Sequence, residues 1–126
     1  MSKLFHKELS YQIVGIAYEI DNTVGFGQSE KVYGDCLEEL LKINKLHYER
    51  EVYHPIKIGE KVVAKKYFDF LIESKLVVEL KTGDFQYKQA CSQLFSYLKA
   101  ANLDLGLIIR FTKNGVKIKR IPNIRH

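Results

Sequence analysis

The chain has little sulfur and no Cys/His cluster. Cys36 and Cys91 are its two cysteines, neither sits in a CxxC pair, and His6, His47, His54 and His126 are scattered. No Cys/His group has zinc-finger spacing, and no histidine stands ready for a Ser- or Cys-based triad. Both cysteines fall inside helix-like apolar stripes and read as reduced core residues. Long apolar runs are missing too: none approaches the roughly 18 residues that cross a bilayer. The start, Met1-Ser2-Lys3-Leu4-Phe5-His6, lacks the apolar segment of a signal peptide. A soluble, cytoplasmic protein is expected. Internal repeats, low-complexity tracts and linkers are absent, and Gly25 and Gly27 form no GxGxxG or P-loop pattern.

What remains is an ordinary amount of material for one folded unit. The 126 residues suit a single domain over 1–126, and 46% hydrophobic residues suffice for a core. Twenty Lys+Arg against fifteen Asp+Glu leave a formal charge of +5. That excess suits a polyanion but does not by itself require one. The basic residues crowd two stretches: Lys57, Lys61, Lys65 and Lys66, then Lys113, Lys117, Lys119, Arg120 and Arg125. The second group also suits a solvated strand edge.

Apolar positions at Leu9, Ile13, Ile16, Ala17 and Ile20 set a helical rhythm over 4–22, which Gly25-Phe26-Gly27 breaks. Ser29 is a plausible N-cap for a second helix with Val32, Tyr33, Cys36, Leu37, Leu40 and Leu41 inward, ending near Asn44. From Leu46 the texture turns to β-branched and aromatic alternation. Residues 47–58 and 61–72 read as strands around a turn at Gly59-Glu60, and 76–81 as a third strand. Thr82-Gly83-Asp84 is punctuation, 85–101 a helix through Ala90, Cys91, Leu94, Phe95 and Leu98, and 103–111 and 116–121 two last strands around Lys113-Asn114-Gly115. The order ααβββαββ is an α/β sandwich around a mixed central sheet. The helix before the fourth strand is long enough for a parallel crossover.

The chemistry hangs on the second and third strands. Pairing Ile72 with Leu76 sets Phe70 against Val78 and Phe68 against Leu80, an all-apolar face. The same register sets Asp69 across from Glu79 and Tyr67 across from Lys81, whereas a slip of one residue would mix the faces. Opposed like charges cost up to about 1 kcal/mol in a sheet. Lys81, two residues on and facing the same way, relieves part of that. A hard divalent cation would relieve more, because magnesium and manganese favour carboxylate oxygens. Val77 and Leu71 would keep the site dry. The same three residues also suit the solvated face of a hairpin. A second E-x-K, Glu73-Ser74-Lys75, lies at the hairpin turn and is set aside.

With these motifs in view, the chain resembles the GxxExxY family of the PD-(D/E)XK nuclease superfamily. The resemblance rests on Gly27-Gln28-Ser29-Glu30-Lys31-Val32-Tyr33, Tyr67-Phe68-Asp69-Phe70, Val78-Glu79-Leu80-Lys81 and Gln93-Leu94-Phe95-Ser96-Tyr97-Leu98-Lys99. It continues through Leu105–Phe111 and Lys117–Ile121, nearly the whole chain in order. Phe68 stands where the superfamily's proline precedes the aspartate, and Phe26 where family members often carry proline. A restriction-endonuclease-like core is implied. Glu30, Asp69 and Glu79 would be acidic metal ligands together with the Leu80 carbonyl, and Mg2+ or Mn2+ the cofactor. Lys81 would orient or deprotonate the attacking water, or hold the phosphate. Gln93 and Tyr97 match the Q-x-x-x-Y element of RecB-like nucleases, four apart on one helix face. Taken alone, Glu30 also suits a helix start, where the dipole favours a carboxylate by roughly 0.3–1 kcal/mol. Tyr33 reads as core. The resemblance implies hydrolysis of nucleic-acid phosphodiesters, DNA before RNA, with a catalytically inactive binding module of the same fold as the alternative. Nuclease cores of this size often pair as homodimers to grip a duplex.

Overall fold

The computed structural model describes residues 5–83 and 86–124. Met1–Leu4, Asp84, Phe85, Arg125 and His126, with the start of the first helix, the turn at Asp84 and the last basic residue expected there, lie outside the described residues.

Eight elements follow in the expected order: α1 (Lys7–Val24), α2 (Glu30–Ile43), β1 (Tyr48–Ile58), β2 (Lys61–Ile72), β3 (Leu76–Thr82), α3 (Tyr87–Ala101), β4 (Leu105–Thr112) and β5 (Gly115–Pro122). The ends obey local chemistry. Ser29 Oγ accepts the Val32 amide and caps α2, while Gly25, at φ 71°, ends α1. Glu73 and Ser74 both take positive φ, consistent with a tight turn rather than a site at the second E-x-K.

The five strands form one sheet in the order β1-β2-β3-β4-β5. All neighbours are antiparallel except β3 and β4, which run parallel, with α3 as the crossover. Helices cover both faces. Ile13, Ile16, Ala17 and Ile20 of α1 and Tyr33, Leu37 and Leu41 of α2 pack on Phe70, Ile72, Leu76, Val78, Leu80 and alternate residues of β4. Opposite, Ala90, Leu94, Tyr97 and Leu98 of α3 pack on Val77, Ile108 and Ile121. Strand alternation therefore sorts the two cores.

Three expectations need correction. Phe68 does not share a face with Phe70 and Ile72: it joins the α3-side core, whereas Phe70 and Leu80 join the other. The change of face falls where β2 parts from β3. Glu51 is left-handed at φ 57°, and the β2–β3 ladder stops at Phe70↔Val78. The β1–β2 ladder also shifts at Ile56/Lys57, leaving Val63 as an extra residue on β2. Val32 is exposed, lying off the Tyr33–Leu37–Leu41 stripe that α2 turns to the sheet. Phe95 is exposed as well, lying off the Ala90–Leu94–Tyr97–Leu98 stripe and under the Lys99 ammonium.

Helix α3 comes close to the sheet at Gly106. A Cβ there would stand 2.8 Å from Leu94 Cδ2 and 2.9 Å from Cγ. Leu94 is fully buried and has nowhere to retreat. Gly106→Ala should therefore lose about 1–3 kcal/mol of stability, the usual penalty of an overpacked core, read as a lower urea midpoint.

Candidate active site at the fork of β2 and β3

Beyond Phe70↔Val78 the two strands stop exchanging backbone hydrogen bonds, and side chains take over. The Asp69 amide donates to Glu79 Oε1 at 2.7 Å, and the Leu80 amide donates to Asp69 Oδ2 at 2.7 Å. Each carboxylate thus reaches across the fork and satisfies an amide that the ladder has abandoned. Asp69 and Glu79 come side by side, as the hydrophobic register requires.

Their electrostatics follow from that crowding. Burial, the charge of Asp69 and more distantly that of Glu30 push Glu79 up to about 8, while the Asp69 amide and the Lys81 ammonium pull it back. Burial also raises Asp69, the Leu80 amide opposes it, Glu30 adds to it, and Lys81 and Arg50 oppose it. Lys81, half-buried on the same strand, therefore bears on both acids. Register lays Lys81 beside Arg110 and Arg110 beside Lys117, a row of cations across β3, β4 and β5. Arg110 lies 4.1 Å from the centre of the Tyr87 ring.

The remaining expected residues divide between two cavities. One, of about 360 Å³, is lined by Glu79 together with Gln93 and Tyr97 of α3, so those two do face an acid of the fork. The other, of about 130 Å³, is lined by Glu30, Asp69 and Leu80. Glu30 is exposed as the first residue of α2 and acts on the pair through its field. Among the described residues no three His, Cys, Asp or Glu side chains stand close enough to enclose one ion. The structure brings together two acids and Lys81, with Glu30 set apart.

Three residues here were not anticipated. Arg50 lines the Glu30 side, held by Asp35 Oδ1 at 2.7 Å and Glu38 Oε1 at 3.1 Å. His54 and Lys66 line the larger cavity. They face each other only because of the extra Val63; an unshifted hairpin would pair His54 with Lys65. No sequence signal marked that bulge.

With this geometry in hand, comparison with known proteins is decisive on ancestry. The model of the PD-(D/E)XK nuclease superfamily matches residues 7–121. The chain belongs to the PD-(D/E)XK nuclease superfamily. No curated protein matches it in sequence. Among solved structures, the crystal structure of SSO0001 is similar, with a TM-score of 0.57 and 24% identity. That alignment covers 96% of this chain and 59% of the other, so the likeness is one of fold.

PD-(D/E)XK nucleases generally use divalent metal ions. The chain's own chemistry fits such a group: two hard oxygen ligands are crowded in a half-buried site that resists holding both negative charges. Asp69 and Glu79 would hold the ion, and it would supply charge to a phosphate oxygen and acidity to a bound water.

The raised Glu79 makes a prediction about stability. Its folded pKa lies above the ordinary carboxylate range, so the folded state binds the extra proton. That contribution is present at acid pH and is lost as pH rises towards about 8. Thermal melts of the native chain should fall over that window, and Glu79→Gln should melt higher than native at pH 8 or above. An unchanged pH profile in the variant would contradict the assignment.

Proposed function

We propose that this chain is a metal-dependent nuclease that hydrolyses phosphodiester bonds of nucleic acid, DNA in preference to RNA, using Mg2+ or Mn2+. The observation that carries the reading is the Asp69–Glu79 pair at the strand fork with the Lys81 ammonium bearing on both, in a chain of the nuclease superfamily. The row Lys81–Arg110–Lys117 and the formal charge of +5 support a polyanionic substrate. The Gly27–Tyr33 motif supports placement in the GxxExxY branch.

Each residue has a role in this reading. Asp69 and Glu79, with the Leu80 carbonyl, are the metal-holding groups, and Glu30 adds negative charge from the start of α2. A bound cation would favour the ionised form of Glu79, since a nearby opposite charge lowers a carboxyl pKa. Lys81 neutralises charge developing on the phosphate and orients the attacking water. Gln93 and Tyr97 position the scissile nucleotide from α3. Pairing as a homodimer is a further part of the proposal.

A second reading has one specific observation in its favour. Both acids are engaged by backbone amides, and among the described residues no third acid joins them to enclose an ion. A fold retained for binding, with no turnover, would tolerate that arrangement.

Purified protein should cut single-stranded or duplex DNA with Mg2+ or Mn2+. Asp69→Ala, Glu79→Ala and Lys81→Ala should each lose at least about 100-fold, the lower range for a positioned proton-transfer or charge-stabilising group. Calorimetric titration with Mn2+ decides between the readings: heat abolished by Glu79→Ala supports the catalytic site, and salt-sensitive DNA binding indifferent to metal supports the binding module.

A further inference from the structure

The larger cavity beside Glu79 has features that metal binding does not require. Part of its lining is aromatic. Phe68 and Tyr97 stack with ring centres 4.4 Å apart, and His54 stands edge-on to Tyr97 at 4.7 Å. Beside Tyr97 on α3, Ser92, Gln93 and Ser96, on neighbouring turns of the helix, contribute hydroxyls and an amide. Lys66 adds a cation from β2. Phe68 takes part only because it abandons the face of Phe70, and His54 and Lys66 only because the Val63 bulge sets them opposite one another. Both irregularities of the β1–β2 hairpin thus serve one cavity.

We infer that this cavity receives a single unpaired nucleobase, next to the bond at the fork. The inference rests on the nuclease reading and names the form of its substrate. A nucleobase has apolar faces and a polar edge. In a duplex the faces are hidden in the stack and the edge in the pair, so an aromatic wall facing amide and hydroxyl groups suits a base that has left both. The volume of about 360 Å³ sits at the small end of ligand cavities, roughly 300–1,000 Å³, which suits one nucleoside and not a stacked pair. Charge agrees with geometry. Lys57, Lys61 and Lys65 lie on the same hairpin as Lys66, against one acid, Glu60, in the stretch 57–66. A strand whose base enters the cavity has its phosphates within a positive field. The aromatic wall does not read base identity, so the cavity selects for single-strandedness over sequence.

The test uses the full chain in metal-free buffer with EDTA, so that binding is read without cleavage. The probes are a fluorescein-labelled oligothymidylate, the same strand with its bases replaced by abasic residues, and the duplex form. Fluorescence anisotropy should show the base-bearing single strand binding at least about tenfold more tightly than the abasic strand, as loss of one stacked base predicts, and more tightly than the duplex. Ser96→Trp and Ser92→Trp, at exposed helix positions, fill the cavity. They should erase the preference for bases while leaving the thermal melt and the abasic affinity unchanged. Equal affinity for base-bearing and abasic strands, or a preference untouched by both tryptophans, overturns the inference. A preference for bases in a protein that cuts nothing with Mg2+ or Mn2+ supports the cavity assignment and removes only the hydrolytic reading.

Discussion

The structure depends on how the chain closes the fork between β2 and β3. Two strands that part company leave amides without partners, and in a half-dry interior such amides are costly. Here the side chains of Asp69 and Glu79 supply the missing acceptors, each from the opposite strand. The same contact seals the sheet and crowds two acids. A group that merely sealed the fork would be neutral; these are ionisable, and burial makes the second charge hard to hold. One interaction both seals the sheet and sets the unusual protonation of the pair.

Around that fork the hairpin of β1 and β2 behaves as a twisted ribbon. It is tied to β3 through three register pairs, Phe70↔Val78 to Ile72↔Leu76. Glu51 in the left-handed region and the extra Val63 turn the outer part of the ribbon so that His54, Lys66 and Phe68 lean towards α3. The acids therefore open onto two different environments. Asp69 shares a small polar recess with Glu30 and Arg50, and Glu79 shares a larger aromatic one with Gln93 and Tyr97.

Much of this was legible from residue patterns, for identifiable reasons. Period-2 alternation in Phe70–Ile72 and Leu76–Val78 admits one register that keeps apolar residues together, so the adjacency of Asp69 and Glu79 followed before any coordinates. Ser29 and Gly25 announced the ends of α2 and α1 through capping chemistry. Continuing the alternation through Phe68 failed, because alternation assumes an unbroken ladder and this one ends at Phe70. Val63 carries no mark of a bulge, being a good strand former, so the partners of His54 and Lys66 were hidden. Arg50 was hidden for a different reason. Its anchors, Asp35 and Glu38, lie on α2, and the approach of β1 to that helix is a matter of tertiary packing.

Tyr33 adds a constraint on angle. Its ring lies flat on Phe111 of β4, centres 3.9 Å apart, and its hydroxyl donates to the Gly25 carbonyl at 2.6 Å. The first turn of α2 is thereby keyed to the sheet by the ring and to the preceding loop by the hydroxyl. Since neighbouring positions on a helix differ by about 100° of rotation, any indexing error of α2 by one residue would swing Glu30 away from the acids whose field it shares. The buried phenol acts as a dowel: a side chain remote from the strand fork sets the azimuth of one whose field reaches it.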